Sequence, residues 1–504
     1  MHWADSLVKE LEGNQLVSTG ISPSGPIHVG NMREILTGDM IYKAALKKGL
    51  KARFIYLCDD IDPLRKVYPF LDSSYSSYVG FPLSSIPAPD GGPSYSEYFL
   101  KPFVETLSKI DVNVEVLRTT DLYRNGTFER SIRMVVEKRD RIRDILQELS
   151  GRELEENWFP YNPRCGKCGR INSTVVESYD LPMIHYKCSC GNEGSADIRK
   201  DDGKMPWRIE WPAKWFELGV TIEPFGKDHG ASGGSYDTGK RIAEEIFKIS
   251  APVPLIYERI FLKGVGVMHS STGISIPASD MVKYAPPQIL RFIIARSNPG
   301  RHINFDPGAG LLNLVDEFEK YQKAYNSQEE VKDENYREVY EYSRISGKES
   351  ATGISFRHLV TLVQIYTTDT DLLRVLKHTG YTGESLDDQM KWQIEIARNW
   401  LSKYAPDIVK FRVMPMDYTV HLNEVEKSIL SDFVAQASKL QWNPEEIHNS
   451  VHEILKARNV SPKEGFGAFY RVIIGKDQGP RLGYFLSNME RDFVISRLKA
   501  NISA

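Results

Sequence analysis

Hydrophobic positions recur with two different periods along this chain, and the change from one to the other divides it. An apolar run at 15–21 precedes an amphipathic stretch at 32–50. Ala52-Arg53-Phe54-Ile55-Tyr56-Leu57-Cys58 follows, with the β-branched and aromatic content of a buried strand. Strand, helix and strand within about 40 residues make a βαβ unit and therefore a parallel sheet. A short amphipathic helix is predicted ahead of it over 1–14. Residues 67–100, rich in Pro, Ser, Gly and Tyr, read as an irregular insertion. A helix at 95–110, a strand at 112–117 and a long charged helix at 122–149 resume the alternation. From 206 it returns, with strands at 207–211, 220–225 and 255–260 and a helix at 236–249. Beyond about 286 the period is helical, over 286–296, 311–326, 355–367, 387–403, 422–440, 444–456, 463–474 and 480–500, and 347–353 resembles a linker.

In a parallel sheet, ligands bind beyond the carboxyl ends of the strands, and three polar turns fall there. Ser22-Pro23-Ser24-Gly25-Pro26-Ile27-His28-Val29-Gly30-Asn31 joins the first strand to its helix. It sets His28 and Asn31 at a helix N-terminus, where free N–H groups and the dipole favour an anion. Asn31 and Glu34 have nearly the pattern of a capping box. Asp59-Asp60-Ile61-Asp62 ends the second strand, and Gly226-Lys227-Asp228-His229-Gly230 follows a later one. The loop from Lys263 to Gly273 is rich in glycine and hydroxyls. It is either an anion-binding nest or a plain surface loop.

At 504 residues the chain exceeds one ordinary core, and about 150 residues per domain suggests three or more. With 41% hydrophobic and 26% charged residues it has the composition of a globular protein. No apolar run approaches about 18 residues, so no membrane span is expected. The opening MHWADSLVKELEG lacks the apolar centre of a secretion signal. A net charge of −3 means that a nucleic-acid partner must meet local basic surface. Lys138, Arg139, Arg141 and Arg143 offer one basic face, which is either solvated or a contact for phosphates. Of five cysteines, Cys165, Cys168, Cys188 and Cys190 fall in one short stretch as CxxC and CxC, with glycine after three of them. Four thiolates close a tetrahedral structural Zn²⁺ site with no open catalytic position. They staple a ribbon at about 158–200 that is poor in apolar residues. Such a site suits a reducing cytoplasm, whereas Cys58 packs within its strand.

Pro23-Ser24-Gly25-x-x-His28-Val29-Gly30-Asn31 resembles the "HIGH" signature of class I aminoacyl-tRNA synthetases. Preceded by Gly20-Ile21-Ser22, it is similar to the class I lysyl-tRNA synthetases in particular. Five further segments resemble that family in the same order. They are Asp59-Asp60-x-Asp62-Pro63-Leu64-Arg65-Lys66, Glu210-Trp211-Pro212-Ala213-Lys214-Trp215, Gly226-Lys227-Asp228-His229 with the glycine-rich 233–239, Tyr257-Glu258, and the tail at 475–483. The resemblance covers nearly the whole chain. It implies an α/β Rossmann catalytic domain in two halves, 1–88 and 206–262, around a zinc-bearing insertion at 89–205 that meets the acceptor end. A stem-contact region at 263–345 and an all-α anticodon-binding region at 346–504 would follow. The implied reaction is activation of L-lysine by ATP, accompanied by Mg²⁺, and transfer of the lysyl group to tRNA(Lys), in the cytoplasm and without a membrane partner.

By the same resemblance His28 and Asn31, with Ser270 and Ser271, act on the phosphates. Pro23, Ser24, Gly25, Gly30, Asp228, Met268 and Gly273 complete the ATP site. Gly20, Ser22, Trp211, His229 and Tyr257 match the lysine pocket, and Glu210, Asp59 and Asp60 are the candidates to face the ammonium. With 207–211 as a strand, only one of Trp211 and Trp215 would face the cleft. Two departures stand out. Aligned through Met268, Ser270, Ser271 and Gly273, the "KMSKS" loop has Val267 and Thr272 where the family's lysines fall, and Lys263 comes several residues too early. That leaves a non-catalytic paralogue binding tRNA or an adenylate as the alternative. A synthetase for glutamate or arginine is a third reading, opposed by 206–239 and the tail. Residues 88–98 also lack the Cys/His cluster of many relatives, so one zinc is expected.

Overall fold

Five parallel strands carry the edge at which the three polar turns meet. A computed structural model describes residues 1–503 apart from 152, 269–274 and 346–352. The strands are β1 (Asn14–Ile21), β2 (Lys51–Cys58), β3 (Glu115–Arg118), β4 (Ile222–Gly226) and β5 (Val253–Tyr257). Their order in the sheet is β5-β4-β1-β2-β3, with every pairing parallel. The chain runs outward from β1 to β3 and then returns to lay β4 on the other side of β1. The gap between the carboxyl ends of β1 and β4 is therefore the topological switch point, where a crevice opens. Helix α1 (Met32–Lys47) buries Ile35, Leu36, Met40 and Ile41. It lies so close to the sheet that a Cβ on Gly38 would come within 2.7 Å of Phe54 and 2.8 Å of Thr19.

The stretch 207–211 is not a strand. It opens the helix α2 (Trp207–Leu218), which Gly219 ends at φ 73°. Tryptophans four residues apart stack along one face, with ring centroids 5.3 Å apart for Trp207 and Trp211 and 5.1 Å for Trp211 and Trp215. Glu210 and Lys214 pair at the same spacing, 3.0 Å apart. Helical rotation thus puts both Trp211 and Trp215 on one side, so both indoles reach the same carboxyl, that of Glu223.

Within the insertion, the predicted helix at 122–149 is three: Thr119–Arg124, Glu129–Glu137 and Arg139–Ser150. Gly126 at φ 71° ends the first, and Lys138 at φ −105°, ψ 19° separates the other two. Residues 67–100 form two 3₁₀ turns and the start of a helix, Tyr95–Lys109, around an aromatic cluster that includes Tyr68, Tyr75, Tyr95 and Phe99. The ribbon is a three-stranded antiparallel sheet of Thr174–Asp180, Met183–Cys188 and Glu193–Asp197. Asn162–Pro163 pairs with Gly203–Lys204. The predicted strand at 255–260 is broken into β5 and Ile260–Leu262.

The chain divides into two units. The first is Met1–Val282 with Pro287–Phe305 and Tyr321–Ser346; the second is Lys283–Pro286, Asp306–Lys320 and Gly347–Ala504. The second unit is helical. Phe356–Ile365, Asp388–Lys403, Glu424–Ala437, Pro444–Ala457 and Pro462–Ile474 start at Ser355, Asp387, Asn423, Asn443 and Ser461, and each of these side chains caps the N–H three residues on. Each cap contributes about 1 kcal/mol. Asp369–His378, capped by Thr368, is a helix the periodicity did not reveal. The predicted helix at 480–500 is two, Leu482–Ser487 and Arg491–Ile502. Of the proposed linker, 347–352 lie outside the described residues. Among the described residues no helix is long and apolar enough to cross a membrane.

Candidate active site

The signature turn is fixed on two sides. Val29 N–H donates to Ile276 O at 2.9 Å and Ala278 N–H to Ile27 O at 2.9 Å, so the turn is pinned to the segment 276–278. Asn31 begins α1, but the expected capping box does not form. The Asn31 Oδ1 accepts from His28 N–H at 3.1 Å, which closes the turn on itself. His28 is buried, and its ring lies over Gly30: a Cβ there would come 2.8 Å from the imidazole and 3.5 Å from Met268 Cε. Glycine at 30 is what lets the ring and Met268 both close on the helix start. Tyr95 Oη donates to Ser24 O at 2.7 Å, holding the Pro23–Gly25 corner. Ser270, Ser271 and Gly273 lie outside the described residues.

Across the switch point, Glu34 does something other than cap its helix. Its Oε1 accepts the Gly20 N–H at 2.7 Å and its Oε2 accepts the Tyr257 hydroxyl at 3.0 Å. It thereby joins the ends of β1 and β5. Among the described residues no Lys or Arg pairs with it. Burial pushes its carboxyl up to about 7, the two hydrogen bonds pull it back, and the nearby Asp59 charge adds to the rise. The Trp211 ring lies 5.6 Å from His229 at 61° and 5.3 Å from Phe225, and its indole N–H donates to Glu223 Oε1 at 2.9 Å. Trp215 donates to the other oxygen of the same carboxyl. Burial raises Glu223 to about 8, with the indoles opposing and Glu34 reinforcing. Burial also lowers the His229 imidazole, so that ring is neutral near pH 7.

The structure thus brings Gly20 and Tyr257 together on Glu34 and sets the Trp211 ring edge-on to His229. The Ser22 hydroxyl donates to Asp62 Oδ2 at 2.6 Å, beside a separate cavity of about 220 Å³. Asp228 sits further out and accepts from Arg259 at 2.5 Å. Of the three carboxylates expected to face an ammonium, Glu210 and Asp59 are paired with lysines within the chain, and Asp60 holds a backbone N–H. Glu210 meets Lys214 at 3.0 Å and Lys204 at 3.1 Å, Asp59 meets Lys214 and accepts from Thr119 at 2.8 Å, and Asp60 accepts from Thr120 N–H at 2.8 Å. Glu34 has no Lys or Arg partner among the described residues, and in the sequence its spacing from Asn31 reads as a cap. Its polar position on the buried face of α1, next to Ile35 and Leu36, was the available signal.

In the ribbon, Cys165 Sγ is 3.7 Å from Cys190 Sγ and Cys168 Sγ is 3.6 Å from Cys188 Sγ, with all four sulfurs within 4.8 Å of one another. A tetrahedral ion with bonds of about 2.3 Å holds its sulfurs about 3.8 Å apart, so the set fits Zn²⁺. Asn192 Nδ2 approaches Cys165 Sγ at 3.6 Å, a donor that suits a thiolate. The basic face of the insertion is largely used internally. Arg141 pairs with Glu245 at 2.7 Å, and Arg143 donates to the carbonyls of Leu154 and Glu155 at 3.2 and 2.6 Å.

Residues 1–346 match the family model described as tRNA synthetases class I (K), and 399–502 match an anticodon binding domain. The chain belongs to this family of class I tRNA synthetases. It is 57% identical over 500 residues to the lysine–tRNA ligase of Picrophilus torridus, covering 99% of each chain. It is 56% identical over 501 residues to the lysine–tRNA ligase of Thermoplasma volcanium, again 99% of each. With the lysine–tRNA ligase of Archaeoglobus fulgidus the identity is 44% over 506 residues, 99% of this chain and 100% of that one.

Proposed function

We infer that this chain is a lysine–tRNA ligase, which activates L-lysine with ATP and transfers the lysyl group to tRNA(Lys). The observation that carries the specificity is Glu34, a carboxylate that no Lys or Arg pairs with among the described residues, set between Gly20 and Tyr257. A long apolar stem packs on Trp211 and His229, and its ammonium meets Glu34 and the Tyr257 oxygen. A glutamate side chain would bring a second carboxylate to Glu34 and be repelled.

In the first step a carboxylate oxygen of lysine attacks the α-phosphorus, and pyrophosphate leaves. In the second a ribose hydroxyl of the tRNA attacks the lysyl carbonyl, and AMP leaves. Such displacements need positioning and charge stabilisation more than covalent help. His28, Asn31 and the N–H groups at the start of α1 supply donors to the phosphates, joined by Ser270, Ser271 and Gly273. Pro23, Ser24, Gly25, Gly30 and Met268 shape the seat, and Asp228 reaches the ribose. Mg²⁺ accompanies ATP as part of the substrate. One structural Zn²⁺ sits in the four-cysteine ribbon, and reduced thiols there fit a cytoplasmic protein. The catalytic halves at 1–88 and 206–262, the insertion at 89–205, the stem-contact region at 263–345 and the anticodon-binding region at 346–504 are the division of labour we assign.

Two outcomes follow for solution measurements. Lysine should bind the ionised form of Glu34. With that carboxyl near 7 in the free protein, the apparent Kd for lysine should fall about tenfold between pH 6 and pH 8 and then level off. Isothermal titration should show proton release on binding near pH 7; an affinity flat across this range would remove Glu34 from the pocket. For the ribbon, metal analysis should find close to one zinc per chain. Cys188→Ala should lose that metal and open 174–197 to proteolysis, and retention of a full equivalent would refute the ligand set.

The activity itself is tested by lysine-dependent exchange of pyrophosphate into ATP, measured with and without tRNA. Exchange with lysine under at least one condition is expected; none under either refutes the ligase reading.

A further inference from the structure

A row of buried charges runs from the base of the ribbon toward Ser22, and the chemistry above makes no use of it. Lys204, in the short strand that pairs with Asn162–Pro163, is buried. Its ammonium meets Asp62 Oδ1 on one side and lies 3.1 Å from Glu210 Oε2 on the other. Glu210 also accepts from Tyr123 Oη at 2.7 Å and continues to Lys214 at 3.0 Å, and Lys214 meets Asp59. Stability is a weak reason for such a row, because buried ion pairs contribute little over packed apolar side chains. The geometry at its near end is more telling. Asp62 uses Oδ1 for Lys204 and Oδ2 for Ser22, whose Oγ is 2.6 Å away. An ionised carboxylate only accepts, so the Ser22 proton is committed to Asp62. That leaves only the lone pairs of Ser22 for a donor in the cavity beside it, which Ser24, Asp62, Pro63, Arg65, Tyr68 and Leu83 also line.

We propose that Lys204 is a positioning residue for the amino acid: it keeps Asp62 ionised, and Asp62 fixes the Ser22 hydroxyl as an acceptor for the α-ammonium of lysine. Without the ammonium of Lys204, a buried Asp62 takes up a proton and donates it to Ser22, turning the serine hydroxyl into a donor aimed at a cation. In the folded protein the Asp62 carboxyl is lowered, with burial opposing and Lys204 the largest favourable influence. Recognition of the α-ammonium is thereby made to depend on a residue at the base of the ribbon. This rests on the assignment of Ser22 to the lysine pocket.

The test is a double-mutant cycle in pyrophosphate exchange on the full chain, with thermal unfolding as the check on folding. Lys204→Met should raise the KM for lysine about tenfold and leave the KM for ATP unchanged. In a Ser22→Ala background the same substitution should have almost no further effect. Lys204→Arg, which keeps the charge, should restore most of the loss. Should Lys204→Met fail to fold, Asp62→Asn decides: its carbonyl turns to Lys204, its amide donates to Ser22, and the KM for lysine rises alike. An unchanged KM for lysine in a folded Lys204→Met or Asp62→Asn variant overturns the proposal. So do equal rises in the lysine and ATP constants, or effects that add to that of Ser22→Ala. Absence of lysine-dependent exchange in the wild-type chain is a separate outcome, seen before any variant is compared, and refutes the ligase reading beneath it.

Discussion

Glu34→Gln should reduce kcat/KM for lysine in activation by about 10²- to 10³-fold, with the KM for ATP unchanged. The glutamine keeps an oxygen for the Gly20 N–H, so the join between β1 and α1 survives. The charge facing the ammonium is lost, and removing one partner of a buried charge pair costs about 2–5 kcal/mol. The fold should not suffer. A carboxyl raised to about 7 contributes stability below its unfolded value, and that stability is lost as pH rises through about 7. Above pH 7 the neutral variant should therefore melt no lower than the wild type. Its lysine affinity should also lose the dependence on pH. Steady-state exchange at several lysine concentrations checks the first point, and an unchanged kcat/KM would show that the ammonium is read elsewhere.

His28→Ala should lower kcat for activation by about 10²- to 10³-fold and leave the KM for lysine nearly unchanged. The imidazole lies at the start of α1 over Gly30, where it can donate to phosphate oxygens as charge builds in the transition state. Removing one such donor from a preorganised site costs about 3–4 kcal/mol. The effect should be at the upper end here if, as the sequence resemblance implies, Val267 and Thr272 stand at the positions where the family carries lysines. Lysine-saturated exchange gives the comparison directly. Unchanged turnover in the folded variant would mean that the signature turn does not serve the phosphates.

The parts of this protein that could be read from its sequence are those set by local rules. The β1–α1–β2 unit shows in its periodicity, and the C-terminal helices show in their caps at Ser355, Asp387, Asn423, Asn443 and Ser461. The misreadings share a cause as well. Residues 207–211 read as a strand, while the period of four in Trp207, Trp211 and Trp215 recorded the helix. The roles proposed for Glu34 and Lys204 depend on partners far off along the chain. Tyr257 lies 223 residues from Glu34, and Asp62 lies 142 residues from Lys204. No local pattern carries such a contact. Their hydrophobic neighbours announce burial, but only the folded sheet says which charge answers which.

Charging of tRNA(Lys) with lysine and with glutamate, measured side by side on the wild-type protein, tests the central claim most directly. Glu34 between Gly20 and Tyr257 predicts a lysyl ester and no glutamyl ester. Charging with glutamate, or with neither amino acid, would contradict it.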